Sequence, residues 1–404
     1  MSTSIMYHTQ GIIGYTYERT IYENGTCIFK MHPQERLIRC PICGTHDLQS
    51  RGSVERTIML IPTGTHQNYA RIDIPRVYCH ECHKLRQINL GFAEEYRSYS
   101  KSFERYVWEL CKLMTISEVS KHLGVSWDMI KDIDKRYLDK NYGTPKLKHL
   151  KRIAIDEIYC GKKQKYLTIV LNLDTGAVVF VGKGKGSEAL EPFWKKLGRR
   201  KKKIKSVAID MSAAYTKAVE ENLPEAALVY DHFHVIKLYN EKLSDLRREL
   251  YNAEKDADMR LLLKGTRWLL LKNAENLNEE RGERTRLEAA LKMNEPLMIA
   301  YYMKEELHRI WDQENRALAE EVFEKWVKMA ESSGVSMLSR FAQTLRKHRE
   351  GILNYSEHRI TTGALEGTNA KIRVMQRKAY GFRDEEYLEL KIYALHETKA
   401  KNIA

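Results

Sequence analysis

Arg152-Ile-Ala-Ile-Asp156 and Ser206-Val-Ala-Ile-Asp210 are two short apolar runs, and each ends on an aspartate. Runs of this length, bounded by charge, read as buried strands. A third acid, Glu366, stands far downstream in Ala364-Leu-Glu-Gly-Thr-Asn369, where the chain turns into a basic helical segment. Any one aspartate at a strand end is structural more often than not, so it is the set that carries information. Two carboxylates at strand ends and one on a helix can converge on two Mg²⁺ (or Mn²⁺) ions, which clamp both oxygens of an in-line phosphoryl transfer.

Outward from these acids the pattern is regular. Segments 153–158, 166–172 and 178–182 are short apolar or β-branched runs, with the turn signal Asp174-Thr-Gly176 between the last two. A helix is expected over 188–197 with Ser187 as N-cap, then a strand at 207–210, a helix at 212–222 and a strand at 227–230. Three strands, helix, strand, helix, strand is an α/β order with a meander first and parallel strands later. With 53 residues between the first two acids, this is the spacing of an RNase H-like fold. Residues 234–355 read as helix throughout, with Pro296 inside, and Leu261, Leu262, Trp268 and Leu269 as core positions.

The preceding half carries two further motifs. Cys40-Pro-Ile-Cys43 and Cys79-His-Glu-Cys82 are two knuckles with 35 residues between them. Two such pairs close a tetrahedral zinc site from Cys40, Cys43, Cys79 and Cys82. His80 and His83 are neighbouring alternatives that four cysteines make unnecessary. The alternating stretch 69–78 reads as a β-strand, so the module is a ribbon. Residues 116–133 fit a helix-turn-helix, with Val119 and Leu123 facing inward, Gly124 at the turn, Ser126 as a cap, and Ile130 and Ile133 packing back. Trp127, Asp128 and Lys131 then head the recognition helix. An ordinary helical hairpin is the alternative reading.

The chain has 404 residues, 68 Lys+Arg against 54 Asp+Glu, and a formal charge of +14. Such a surplus suits a polyanionic partner. Arg199 and Arg200 open a basic run to Lys203, which either binds phosphates or is a solvated charge run. Lys371, Arg373, Arg377 and Lys378 give a basic helix suited to the DNA backbone. No apolar run of about 18 residues exists, so no membrane span is expected, and the first residues do not read as a secretory signal.

With these motifs the sequence resembles the DDE transposases of bacterial insertion sequences, specifically the ISL-three family. The matching stretches are Ile155-Asp156-Glu157, Ala208-Ile-Asp210-Met-Ser-Ala-Ala-Tyr215, Asp231-His-Phe-His234-Val235, and the run from Ala364 through Glu366, Asn369 and Arg377 to Phe382. The resemblance implies an α+β multidomain chain: zinc ribbon region at 1–95, helix-turn-helix at 96–145, RNase H-like core at 150–236, all-helical insertion at 237–355, and the rest of the core with the third acid at 356–404. It implies catalytic, magnesium-holding Asp156, Asp210 and Glu366, with Asp231 and His234 in support. Asn369, one turn after Glu366, is placed to touch the scissile phosphate. The expected partners are double-stranded DNA, as terminal inverted repeats and as target, and a second copy of the chain in the synaptic complex. The expected setting is the bacterial cytoplasm, on the nucleoid. Two rivals differ in class: a DNA-binding regulator with an inactive nuclease-like domain, and a nuclease such as a resolvase that cleaves without joining.

Overall fold

A computed structural model describes residues 5–161 and 165–397. They form two compact units, divided between Gly143 and Thr144.

The first unit is built on a five-stranded sheet of β1 (Tyr15–Glu23), β2 (Thr26–Pro33), β3 (Leu48–Thr63), β4 (His66–Cys79) and β5 (Lys84–Gln87). β3 and β4 make one long antiparallel hairpin, and β2 runs parallel to β4 on its other side. Alternation along β4 buries Asn68, Ala70, Ile72 and Ile74 in succession, the period-two signature of a half-buried strand. Three helices follow: Lys101–Cys111, Ile116–Leu123 and Trp127–Tyr142. The middle one opens with a reciprocal capping box, Thr115 accepting from Glu118 N–H while Glu118 accepts from Thr115 N–H at 2.6 Å. It ends at Gly124, whose φ of 63° is the left-handed value that glycine adopts without strain. Ser126 caps the third helix, accepting from Met129 N–H at 3.3 Å. Val119, Ile130 and Ile133 are fully buried between the helices, the packing of a helix-turn-helix.

The second unit holds a five-stranded mixed sheet of β6 (Arg152–Gly161), β7 (Lys165–Asn172), β8 (Val178–Lys183), β9 (Ser206–Ile209) and β10 (Ala227–Tyr230). Spatial order is β10-β9-β6-β7-β8. β6, β7 and β8 form an antiparallel meander, while β9 and β10 add in parallel on the other side of β6. This is the RNase H-like order. Both edges are covered. On β8 the Val181 N–H donates to the Tyr393 hydroxyl at 3.2 Å. On β10 the Leu228 carbonyl accepts from Asn354 Nδ2 at 2.8 Å.

Several expected boundaries move. Asp156 is not at a strand end: β6 continues to Gly161, because Ile158 and Cys160 keep the buried alternation going against β7. Ser187 makes no cap; it opens a 3₁₀ turn, Ser187–Leu190, ahead of the helix Glu191–Leu197. The stretch after β10 is not continuous helix. Between Gly265 and Glu283 it runs through turns and one 3₁₀ turn, Ala274–Asn276. The freed carbonyls of Leu270 and Lys272 accept from the ammonium of Lys304, a fully buried lysine whose pKa burial lowers. This break shifts the phase of the helical pattern. Leu261 and Trp268 are 69% and 65% exposed, and the core positions are Leu263, Leu269 and Leu270.

One apolar core runs without interruption from the sheet (Ile153, Val170, Val207) into the helices (Tyr239, Trp326, Phe341). Two polar ends inside it are matched: Tyr239 hydroxyl to Ala300 C=O at 2.6 Å, and Trp326 Nε1 to Met303 C=O at 2.8 Å. Gly351, in the short helix Arg349–Leu353, meets the Tyr230 ring so closely that an added Cβ would lie 2.4 Å from it. Ala normally favours a helix by about 1 kcal/mol over Gly. Here Gly351→Ala should instead cost about 1–3 kcal/mol by overpacking, seen as a lower urea midpoint; an unchanged or higher midpoint would contradict this packing.

Candidate active site

β6 and β9 run parallel with Arg152 level with Ser206, Ile153 with Val207 and Ala154 with Ala208. Two residues further on each chain stand Asp156 and Asp210. The register thus brings the two aspartates side by side at the carboxyl end of β9, where parallel α/β sheets present their ligands. Asp156 Oδ1 accepts from Glu157 N–H at 2.8 Å, and Asp210 Oδ1 accepts from Ser212 N–H at 3.0 Å. Burial pushes the Asp156 carboxyl up to about 6, and the charges of Glu157 and Asp210 add to that.

The helix Gly363–Lys378 packs along β6. Its Asn369 is buried, and Nδ2 donates to Asp156 Oδ2 at 2.9 Å. The Asn369 amide faces β6 and engages the Asp156 carboxylate. Glu366, three residues earlier on this helix, is exposed. Asn369 thus tethers the Glu366 helix to the first acid. Among the described residues no lysine or arginine pairs with Asp156, Asp210 or Glu366. A raised carboxyl beside a second one, no lysine or arginine paired with either among the described residues, and a buried Asn369 Oδ1 without a partner form an oxygen-rich set that fits a divalent cation.

Asp231 follows β10 and is 2% exposed. It caps the helix His232–Ala253 through Phe233 N–H at 3.0 Å, and its other oxygen accepts from the Thr362 amide at 3.1 Å and from the Thr362 hydroxyl. Burial alone would raise this carboxyl, but His234, Thr362 and the Phe233 amide outweigh it and bring it to about 2. The His234 ring lies 3.6 Å from Asp231. Asp231 raises the His234 pKa, with the charges of Asp210 and Asp156 adding to it. Sequence reasoning missed Thr362. A Thr-Gly pair before a helix is a general start signal and says nothing of a partner 131 positions away.

The four cysteines draw together as expected, with their sulfurs all within 4.8 Å of one another. Cys40 and Cys82 sulfurs are 3.9 Å apart, and those of Cys43 and Cys79 3.6 Å. A zinc tetrahedron with metal–sulfur bonds of about 2.3 Å has edges of about 3.8 Å, whereas a disulfide needs about 2.05 Å. Amides of Cys43 and Ile42 aimed at the Cys40 sulfur lower its thiol to about 6, and Cys82 N–H donates to Cys79 at 3.3 Å. His80 and His83 stay outside this group.

The basic candidates separate. Lys371, Arg373, Arg377 and Lys378 are exposed on the Glu366 helix, and Arg373 and Arg377 fall on the same helix line as Glu366. Arg199 and Arg200 belong to a 3₁₀ turn, Gly198–Lys203, that leads into the start of β9. They sit at the opposite rim of the sheet from Asp210, about 13 Å of strand away. On the recognition helix Trp127 is 46% exposed, with the Lys131 ammonium 5.4 Å from its ring centre.

An RNase H-like sheet bearing level aspartates, behind a zinc ribbon and a helix-turn-helix, defines the class of DNA-processing transposases. Family comparison agrees along the chain: residues 153–392 match a transposase family, residues 88–138 the helix-turn-helix domain of transposase family ISL3, and residues 36–82 the zinc-finger of transposases IS204/IS1001/IS1096/IS1165. The chain belongs to the ISL3 family of transposases. It is 29% identical over 407 residues to the transposase for insertion sequence element IS1001 of Bordetella parapertussis, covering 99% of this chain and 100% of that one. It is 26% identical over 387 residues to the transposase for IS1557 of Mycobacterium tuberculosis, covering 89% of this chain and 86% of the relative.

Two outcomes follow. Purified protein should carry one zinc per chain, and a strong chelator should abolish amide protection around Cys40–Cys43 and Cys79–Cys82; a disulfide within either pair would contradict the site. Asp231, with its lowered pKa, adds stability that is full above about pH 4 and is lost as pH falls toward 2. The loss amounts to about 2 kcal/mol. Urea unfolding at a series of acid pH values should show that limb in the wild type and a flatter one in Asp231→Asn.

Proposed function

We propose that this transposase binds the terminal inverted repeats of its own element, cuts DNA there, and joins the freed 3′-hydroxyl to target DNA, with Asp156, Asp210 and Glu366 as its catalytic carboxylates. The observation that carries the reading is the level pair Asp156 and Asp210, with the Glu366 helix tied to Asp156 through Asn369. Cutting and joining are then one reaction: an oxygen of water or of a 3′-hydroxyl attacks phosphorus, and the P–O3′ bond on the far side breaks. No covalent protein–DNA bond is required. Asp156, Asp210 and Glu366 would hold two Mg²⁺ or Mn²⁺ ions, which when bound neutralise the phosphate and activate the attacking oxygen. Asn369 fixes one oxygen of Asp156 and leaves the rest of the carboxylate free. Asp231 raises the His234 pKa beside the two aspartates, which favours a charge suited to the incoming phosphate.

The remaining surfaces have distinct parts in this reading. Trp127 and Lys131 enter the major groove of the element end. Lys371, Arg373, Arg377 and Lys378 grip phosphates leading away from Glu366. Arg199 and Arg200, at the far rim, meet a separate DNA segment. The working form is a homodimer that pairs two ends, acting on the nucleoid in the bacterial cytoplasm.

Purified protein with Mg²⁺ and its element's end DNA should give nicks with 3′-hydroxyl ends and then strand-transfer products. Asp156→Asn, Asp210→Asn and Glu366→Gln should each lose at least about a thousandfold in rate, a loss typical of removing a major transition-state stabiliser, while DNA binding stays within a few-fold. End binding without nicking in the wild type would instead mark a regulator, and nicking without joined products a nuclease. Lys371→Ala with Arg377→Ala should weaken binding to all sequences and flatten its salt dependence by roughly two phosphate contacts. Trp127→Ala and Lys131→Ala should reduce preference for the element end over random DNA.

A further inference from the structure

A short relay of hydrogen bonds joins the end of β9, which leads into Asp210, to the Glu366 helix. Asp231 N–H donates to the carbonyl of Ile209 at 3.0 Å, and Ile209 is the residue before Asp210. The Asp231 side chain receives both the amide and the hydroxyl of Thr362 on one oxygen. The Thr362 carbonyl in turn receives the amides of Leu365 at 2.8 Å and Glu366 at 2.9 Å. Thr362 is 0% exposed and Asp231 2%, so water does not compete for these bonds. Asp231 directly follows the last strand of the sheet, and Thr362 directly precedes the Glu366 helix, 131 positions later.

We infer that Thr362 is a positioning residue: its hydroxyl locks the start of the Gly363–Lys378 helix to Asp231 and so sets the distance of Glu366 from Asp210 and Asp156. The first half of the helix is held at two points, and Gln376 Nε2 donates to the Cys160 carbonyl at 3.4 Å near its end. Asn369 fixes its second turn to Asp156, and Thr362 fixes its first residue to the strand of Asp210. Glu366 lies between these points, so an exposed side chain sits on a backbone that cannot slide. Without the hydroxyl bond the start of the helix keeps only the Thr362 amide on Asp231, while Asn369 and Gln376 still hold its later turns to β6, and it frays at the end that bears Glu366. The same connection passes any shift of the helix His232–Ala253 directly to Glu366, because Asp231 is its cap.

The inference rests on the reading of Asp156, Asp210 and Glu366 as a metal-holding set, and the test separates the two. Full-length Thr362→Val and Thr362→Ser are compared with wild type in three measurements: thermal melting, amide hydrogen exchange over residues 363–370, and binding of Mn²⁺ alone followed by electron paramagnetic resonance. Val removes the hydroxyl with little change of volume, and Ser restores it. A hydrogen bond to a buried carboxylate is worth roughly a tenfold change or more in an equilibrium constant. Thr362→Val should therefore weaken Mn²⁺ binding and speed exchange at 363–370 by about tenfold or more each, with both restored in Thr362→Ser. Wild-type exchange and wild-type Mn²⁺ affinity in Thr362→Val would overturn the inference, as would equal losses in Val and Ser. If Thr362→Val does not fold, Thr362→Ala, which adds no bulk, takes its place. Asp210→Asn and Glu366→Gln go through the same titration. If neither weakens Mn²⁺ binding, the carboxylate reading fails, and exchange at 363–370 still decides whether Thr362 holds the helix.

Discussion

The hydrogen bond from Asn369 to Asp156 is the constraint on which the rest of the second unit depends. It joins the first strand of the sheet to a helix 213 positions later. Everything between must be built so that the chain returns to the same place. The sheet does part of this by ordering its strands so that Asp210 stands level with Asp156. The helices do the rest by sharing the sheet's core from Ile153 to Leu353, so they extend the catalytic fold and do not hang from it. Gly351 lets the returning chain press on Tyr230, and Asn354 closes the edge of β10. A core of this size can hold costly local features. Asp156 is such a feature: in the ionised state it works against folding, a common trade at sites that bind cations.

Much of this was legible in the sequence, for identifiable reasons. Strand runs such as 178–182 were readable because both their faces are buried, so the whole run is apolar. The zinc ribbon was readable because thiolate spacing is fixed by tetrahedral geometry. Gly124 and Ser126 marked the helix-turn-helix because each satisfies a local backbone need. Asp156 and Asp210 were visible as the ends of two matching apolar runs, although their level register needs the pairing of β6 with β9 to be known. What stayed hidden depends on distant partners. Nothing near Thr362 announces Asp231, and nothing near Lys304 announces the carbonyls of Leu270 and Lys272. Leu261 and Trp268 were misplaced for a related reason: the helical phase breaks between them, and a single buried ammonium makes that break affordable. Ser187 looked like a cap because its neighbours are helical, yet a 3₁₀ turn intervenes.

Charge is distributed with similar economy. The net charge of +14 brings no lysine or arginine into an ion pair with Asp156, Asp210 or Glu366 among the described residues. The basic side chains instead flank the site along the Glu366 helix and gather again at the opposite rim around Arg199. Two separated basic surfaces on one catalytic unit suit a reaction that handles two DNA segments, an end and a target. The His234 ring lies 3.6 Å from Asp231, which raises its pKa and whose own carboxylate also accepts from Thr362. The acid that raises the histidine pKa is thus also the acid that receives Thr362 at the start of the returning helix.

The most direct measurement is anomalous diffraction from crystals of the full-length protein soaked in Mn²⁺. The account predicts manganese peaks ligated jointly by Asp156, Asp210 and Glu366, with Asn369 still on Asp156. Manganese held without Glu366, or bound away from β6 and β9, would contradict it.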